Sequence, residues 1–235
     1  MKKALLFVAI ALLGGFALGT LFGSGISSAA QAMARGLSPR QALLTAAPVL
    51  SSAALPAASD SAAPAEAEPD TNLLLERARA AVDALAEADY FALSQPVNPE
   101  KGVTLTPYST VSDCDRVLLP QEVAALPGDE EVYTWGLEDG VGDPIRLTGT
   151  EYFARYVYNA DYAQAPEQAL NQVLMQGNAL ENVAAAYPEG RFVEYHFPGL
   201  DEALEGFDWC SLKLVFEPWQ GDWRLVGIIH SEWTI

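Results

Sequence analysis

The last 45 residues of the chain carry three strand patterns separated by short polar breaks, and this feature constrains the fold most. Strands are predicted over residues 191–197, 211–217 and 223–230. The second and third are joined by Gln220-Gly221-Asp222, a sequence typical of a tight turn. Because strands joined by short connections pair antiparallel, the sequence predicts an antiparallel meander at the C-terminus.

The side-chain pattern of these strands predicts which face is buried. Alternate positions of the second strand form a wholly apolar set, namely Leu212, Leu214 and Phe216. We assign this set to the core, since alternate residues of a strand share one face. In the final strand both sets of alternate residues are apolar. Trp223, Leu225 and Ile229 could face the core, and so could Val226 and Ile228. Both of its faces are therefore predicted to be partly covered.

Helices are predicted before these strands. Asp70 or Thr71 can cap a helix with apolar residues at three- and four-residue spacing, and residues 89–93 form a further helical turn. Residues 102–108 alternate like a strand, and Thr148 with Glu151 matches a capping box that opens a short helix through Tyr158. Residues 168–187 suit either a strand or a helix. This order predicts an α+β domain in which a curved antiparallel sheet packs on N-terminal helices.

Several stretches resemble the beginning and end of a nuclear transport factor 2-like (NTF2-like) domain. They are ALAEADYFALS (84–94), Pro99, GVTL (102–105), LKLVFE (212–217) and GDWRLVGIIH (221–230). The stretch VEYHFPG (193–199) is similar to one in uncharacterised exported proteins of Gram-positive bacteria. The resemblance implies a cone-shaped sheet with a pocket. It does not imply an activity, because this superfamily contains isomerases, dehydratases and non-catalytic binding domains.

The N-terminus indicates export. Two lysines precede a run from residue 4 to 19 without a polar side chain, which predicts a signal peptide or a transmembrane anchor within residues 1–34. We favour a retained anchor, with the rest of the chain outside the cytoplasm, because Gly15, Gly19 and Gly23 form a small-residue stripe suited to helix packing in lipid. Small-residue cleavage sites near Ala32 keep secretion open as the alternative.

Composition separates the rest of the chain into a tether and a domain. Residues 41–70 contain 11 Ala, 4 Ser and 4 Pro, so residues 35–70 are interpreted as a linker. The predicted NTF2-like domain, residues 71–235, carries 9 basic and 27 acidic side chains, which is the whole formal charge of −18. Such an acidic surface excludes a basic nucleic-acid binder.

The chain has two histidines, His196 and His230, and these are the natural acid/base candidates. Glu194 shares a strand face with His196 and could orient or charge it. If that face lines a pocket, the pair could serve a lyase or isomerase, with His230 nearby when the strands are neighbours. The alternative, which we favour, places Glu194 and His196 on the solvent face, while Val193, Tyr195 and Phe197 fill the core.

Other motifs favour structural roles. Trp209, Trp219, Trp223 and Trp233 are interpreted as packing partners rather than a stacking surface for a ligand. The segment 139–144 is interpreted as a turn rather than a calcium loop, since it lacks EF-hand spacing. No nucleotide, zinc or dithiol motif occurs, so neither a cofactor nor a metal is predicted.

Cys114 and Cys210 are the only cysteines of the chain. In an exported protein a lone pair favours a structural disulfide, with two unpaired thiols as the alternative. The sequence as a whole predicts a membrane-tethered domain that binds a small ligand or a protein without catalysis. The lyase or isomerase, and a structural homodimer whose sheet face is the interface, are the alternatives.

Overall fold

The computed structural model describes residues 69–234. It begins with helix α1 (Thr71–Ala86), whose N-cap is Asp70, the carboxylate of which accepts a hydrogen bond from the Asn72 amide. The buried residues of α1 recur at three- and four-residue spacing and face the sheet: Leu74, Ala78, Ala81, Val82 and Leu85. The predicted first helix is confirmed.

The other elements follow in chain order. The further helices are α2 (Tyr90–Ser94), α3 (Pro120–Ala125), α4 (Gly149–Tyr152), which continues as a π-helical turn over Phe153–Val157, and α5 (Val183–Ala186). The strands are β1 (Val103–Thr106), β2 (Arg116–Leu118), β3 (Tyr133–Leu137), β4 (Pro144–Leu147), β5 (Glu167–Leu170), β6 (Arg191–Phe197), β7 (Cys210–Trp219) and β8 (Asp222–Glu232). The capping box at Thr148 and Glu151 is present at α4, as predicted.

The strands form a six-stranded sheet in the order β2-β1-β8-β7-β6-β5, with β3 and β4 as a separate hairpin. Strands β6, β7 and β8 make the predicted antiparallel meander. The sheet is mixed rather than purely antiparallel, because β1 runs parallel to β8. A chain segment of more than 100 residues separates these two strands, so short-connection rules do not apply to them. The last strand of the chain thus lies inside the sheet.

A two-residue turn joins β7 to β8. Gln220 and Gly221 have φ values of 49° and 78°, the left-handed geometry of a type I′ hairpin. The predicted turn is confirmed, but the tryptophans beside it are not partners of each other. Trp219 lies opposite Asp222 and Trp223 lies opposite Pro218, so the two indoles point to opposite faces.

A bulge in β8 determines which of its apolar residues face the helices and which face the other side of the sheet. Val215 lies opposite Gly227, whereas Phe216 lies opposite Leu225, so Val226 is an extra residue without a partner. Trp223 and Leu225 before the bulge, and Ile228 after it, consequently all join the core beneath α1, together with the predicted set Leu212, Leu214 and Phe216. Both faces of β8 are covered, as predicted.

The opposite face of the sheet is covered by residues 171–187, which we call the covering segment. Its Val173, Val183 and Tyr187 pack on a second apolar cluster formed by Phe192, Val215, Val226 and Ile229. The segment has no strand over residues 173–175, and its only regular element is α5. The architecture is therefore an α+β fold with helices on one sheet face and an irregular segment on the other.

The predicted anchor with Gly15, Gly19 and Gly23 lies outside the described residues, as does the linker apart from its last two residues. Over residues 69–234, none of the helices has the length and apolar character that crossing a membrane requires. Retention of the leader and membrane tethering stay predictions.

The predicted disulfide is absent, because Cys114 and Cys210 are both free thiols. Cys114 lies two residues before β2 and Cys210 begins β7, so three steps between neighbouring strands separate them. At about 4.8 Å per step, β7 lies roughly 14 Å from β2 across the sheet. A disulfide spans Cα atoms no more than about 7 Å apart, and sheet geometry prevents the bond.

Alkylation of the native full chain without reductant should add one label, at Cys114. Cys114 is exposed, whereas Cys210 is buried in the core, and burial raises the pKa of its thiol. Intact-mass analysis should show a second label once urea unfolds the chain. In the control variant Cys114→Ser, the native protein should take up no label. An unlabelled chain in urea would mean that the disulfide exists.

Candidate functional site

Glu194 and His196 occupy one face of β6, as predicted, but that face is not exposed to solvent. Their exposed fractions are 0% and 2%. The opposite face carries Val193 and Tyr195, which join the core beneath α1. The interpretation that placed Glu194 and His196 on the solvent face is wrong. The covering segment contacts Glu194 through the Leu174 amide, and the Trp209 indole lies beside the His196 ring with centroids 6.0 Å apart.

A polar layer surrounds these two residues in the middle of the sheet. The Nδ1 atom of His196 lies 2.8 Å from the Ser211 hydroxyl on β7. Lys213, next on the same face of β7 and fully buried, donates through Nζ to the Ser231 hydroxyl at 2.9 Å. Its ammonium also lies 3.9 Å from Glu194 Oε1. The sheet face thus carries a buried cation beside a buried carboxylate.

The covering segment completes this layer. Its Glu181 places Oε2 2.9 Å from Lys213 Nζ, and its Leu174 amide donates to Glu194 Oε2 at 3.1 Å. Asn182 exchanges two hydrogen bonds with the backbone of Val111, at 2.8 and 2.9 Å. The segment is consequently held over the sheet by an ion pair at its centre and by hydrogen bonds to the loop after β1.

Burial sets the protonation of the layer. Desolvation raises the pKa of Glu194, and the neighbouring ammonium of Lys213 opposes that shift. Desolvation lowers the pKa of His196, and Glu167 on the paired strand β5 opposes it. His196 is therefore neutral at pH 7. A general acid or base needs access to its substrate, whereas Glu194 in this arrangement instead holds the covering segment in place through the Leu174 amide.

His230 lies on the other face of the sheet, because the bulge at Val226 reverses the parity of the residues that follow it. It is opposite Leu212 in the register, and its ring meets the edge of Tyr156 with centroids 6.1 Å apart. The expectation that His230 could approach His196 is wrong. The two rings are on opposite faces, and β7 lies between their strands.

The environment of His230 is fully closed. Its Nδ1 atom lies 3.1 Å from the Pro107 carbonyl, which can only accept, so this nitrogen carries the proton. The Nε2 atom is buried without a hydrogen-bond partner, and Glu232 Oε2 is 3.9 Å away. Desolvation lowers the pKa of His230 to about 4, against the opposing effect of Glu232. The ring is neutral and packed, with no route to solvent.

The space between the helices and the sheet is filled by aromatic rings. Trp135 of β3 stacks on Tyr152 of α4 with centroids 4.3 Å apart, and both are fully buried. Tyr156 packs against Tyr152 at 5.2 Å. These three rings therefore form part of the packed main core. The sequence carries no signal that Trp135 would stack there.

A cleft of 290 Å³ opens where the end of β1 meets the β3–β4 turn. Three carboxylates line it, Glu138, Asp139 and Asp115. Glu138 accepts from the hydroxyls of Tyr108 at 2.8 Å and Tyr156 at 3.3 Å, while Asp115 accepts from Thr106 at 2.7 Å. Glu138 and Asp115 are thus already hydrogen-bonded within the domain.

No protein-family model matches the chain, and no curated protein matches its sequence. Among solved structures, it is similar to an NTF-2 like protein of unknown function from Shewanella oneidensis. The identity is 11%, the TM-score is 0.30, and the match covers 69% of this chain and 98% of that one. It is also similar to a domain of unknown function with a cystatin-like fold from Nostoc punctiforme, at 11% identity, a TM-score of 0.34, and 71% and 78% coverage. At these TM-scores the likeness carries no argument about function.

Within residues 69–234, no three His, Cys, Asp or Glu side chains are grouped so that they could hold a metal ion. Asp139 and Gly140 lie in the turn between β3 and β4, where the Gly142 amide donates to the Glu138 carbonyl at 2.9 Å. The interpretation of segment 139–144 as a turn is confirmed.

Replacing His230 by Gln should flatten the fall in stability toward acid. The folded pKa of about 4 lies below the ordinary value of 6.5, so between these pH values only the unfolded state takes up the proton. The contribution of His230 to the free energy of unfolding is therefore complete above pH 6.5 and is lost as the pH falls toward 4. It amounts to about 3 kcal/mol in all. Between pH 7.5 and pH 4, the free energy of unfolding measured in urea should fall by about 3 kcal/mol less in His230→Gln than in the wild type. Parallel pH profiles would refute the assignment.

Replacing Lys213 by Met should lower the free energy of unfolding by about 3–5 kcal/mol, because Glu181 and Glu194 lose their buried cation. Lys101→Met is the matched control. Lys101 is mostly exposed where it pairs with Glu217, so its loss should cost no more than about 1 kcal/mol. Urea unfolding measures both changes, and equal values for the two variants would contradict the role given to Lys213.

Proposed function

We propose that the chain is a membrane-tethered, extracytoplasmic domain of the NTF2-like class that binds another protein without catalysis. The stacked pair of Trp135 and Tyr152 carries the proposal, because both rings are fully buried and fill part of the main core, where an internal ligand pocket would have to be open. A domain with a filled interior acts through its outer surface. The apolar leader and the two lysines that precede it support placement outside the cytoplasm.

The catalytic alternative finds no support in the positions of its residues. Glu194 and His196 are held against Ser211 and Lys213 beneath the covering segment, and His230 is sealed on the other face. A lyase or isomerase would need at least one of these groups within reach of a bound substrate, at about 2.6–3.2 Å or through one water. Opening the site would require displacement of the ion pair between Lys213 and Glu181.

The structural homodimer is the other alternative. Both faces of the central strands β7 and β8 are already covered within one chain, by α1 on one side and by the covering segment on the other. A dimer through a sheet face would have to replace one of these layers. The geometry therefore favours a partner that binds at a loop or at an exposed patch.

Histidine modification tests the closed interior directly. The full chain has two histidines, and both should resist diethyl pyrocarbonate at pH 7 although both are neutral. Mass spectrometry of proteolytic peptides should find no histidine adduct on the native protein and an adduct on each histidine after unfolding in urea. His196→Gln provides the control that assigns each adduct. Rapid native modification of either ring would show an interior open to small molecules and would reinstate the catalytic alternative.

A further inference from the structure

The loop between β6 and β7 exposes more apolar surface than its acidic sequence suggests. Four large apolar side chains from this loop and from the residue after β8 are exposed to solvent: Leu200 (53%), Leu204 (50%), Phe207 (61%) and Trp233 (41%). Phe207 and Trp233 meet edge to face with centroids 5.5 Å apart. We call these four residues the apolar patch. Clustered exposure of this kind marks interaction sites, whereas single exposed apolar residues are ordinary.

The loop that carries the patch is fixed in shape. The Asp208 carboxylate accepts hydrogen bonds from the amides of Leu200 at 3.0 Å and Asp201 at 2.6 Å, which closes the loop across its base. At its apex, Glu205 and Gly206 are both left-handed, with φ values of 51° and 83°. A non-glycine residue in this conformation is strained and is retained where the surroundings require it. The apolar side chains are thus presented by a preformed loop, which reduces the entropy lost on binding.

The patch has an acidic rim. Asp201, Glu202 and Glu205 are exposed beside it, and residues 198–208 contain no Lys or Arg. The nearest carboxylate on β8, that of Glu232, is paired with Arg155 at 2.6 Å and adds no free negative charge. The charge near the apolar side chains is therefore negative and uncompensated.

We propose that the apolar patch, with its rim of Asp201, Glu202 and Glu205, docks a basic protein segment in which an apolar anchor is flanked by Lys or Arg. This inference names the surface and the partner chemistry of the proposed function and rests on it. Phe207 and Trp233 supply the anchor site, since Trp is enriched among the few residues that dominate binding energy at interfaces. The acidic rim selects the partner and accelerates its approach.

The same charges argue against two other occupants. An anionic lipid surface would be repelled by the acidic rim, because polybasic and not acidic segments are drawn to such surfaces. A second copy of the chain would bring an identical rim against the first, and like charges placed together disfavour association. Only a cationic partner satisfies both the apolar and the acidic parts of the surface.

Peptide binding tests the proposal on the full chain in zwitterionic nanodiscs. The probe is a fluorescein-labelled 16-residue peptide with Lys and Arg around a central Trp-Leu pair. Its counterpart carries Glu in place of every Lys and Arg. Anisotropy should show binding of the basic peptide alone, weakened at high salt. Phe207→Ala should weaken it about tenfold, while Phe91→Ala, which removes an equally exposed but solitary ring, should leave it unchanged.

The acidic rim needs its own matched pair of variants. Glu202→Gln with Glu205→Gln should weaken binding about fivefold and reduce its salt dependence. Glu130→Gln with Glu189→Gln removes the same charge from exposed positions elsewhere and should change neither quantity by more than about twofold. Equal effects of the two double variants, equal effects of Phe207→Ala and Phe91→Ala, or no binding of the basic peptide would each overturn the proposal.

Hydrogen exchange distinguishes the occupants. The basic peptide should protect the amides of residues 199–208. Protection of this loop in anionic nanodiscs without peptide would assign the patch to the membrane, and protection that grows with protein concentration would assign it to a second copy, so either result overturns the proposal. If the peptide fails while both histidines resist modification, the docking surface is wrong and the closed binding domain stands.

Discussion

Val226 has no partner across the β7–β8 hairpin, and the arrangement of both layers follows from this bulge. Without it, strict alternation would place Ile228 and His230 on the face away from Trp223 and Leu225. With it, all four side chains lie on the helix side, and Ile229 joins the cluster beneath the covering segment. One extra residue therefore allows a strand that is apolar at both parities to supply two separate cores.

The second core is unusual because it is joined to a charged layer. Lys213, Glu181 and Glu194 contribute little net stability if the cost of removing them from water is counted, and replacing all of them with apolar residues could even stabilise a fold. Their effect is positional. An irregular segment has no ladder of backbone hydrogen bonds to fix its position on the sheet. The ion pair between Lys213 and Glu181 fixes the covering segment at one point.

The elements that alternate regularly could be predicted from the sequence. Strand β6 has the predicted bounds, and Leu212, Leu214 and Phe216 lie in the core because local pattern and burial agree there. The bulge could not be predicted, since no sequence signal marks Val226 as unpaired. The burial of His196 and Glu194 was missed for a related reason. A strand face with polar residues is predicted to face solvent unless another segment is known to cover it. Residues 171–187 show no regular spacing of apolar residues that would identify them as a segment packed on the sheet.

The last strand of the chain, β8, lies between β1 and β7, and pairing with β8 is what joins β1 to the meander. During synthesis the helices, β1 and the covering segment all emerge before the strand on which their packing depends. The domain cannot close until residues 222–232 have been made, because until then both apolar clusters lack part of one wall. The position of one strand thus makes completion of the fold depend on residues 222–232.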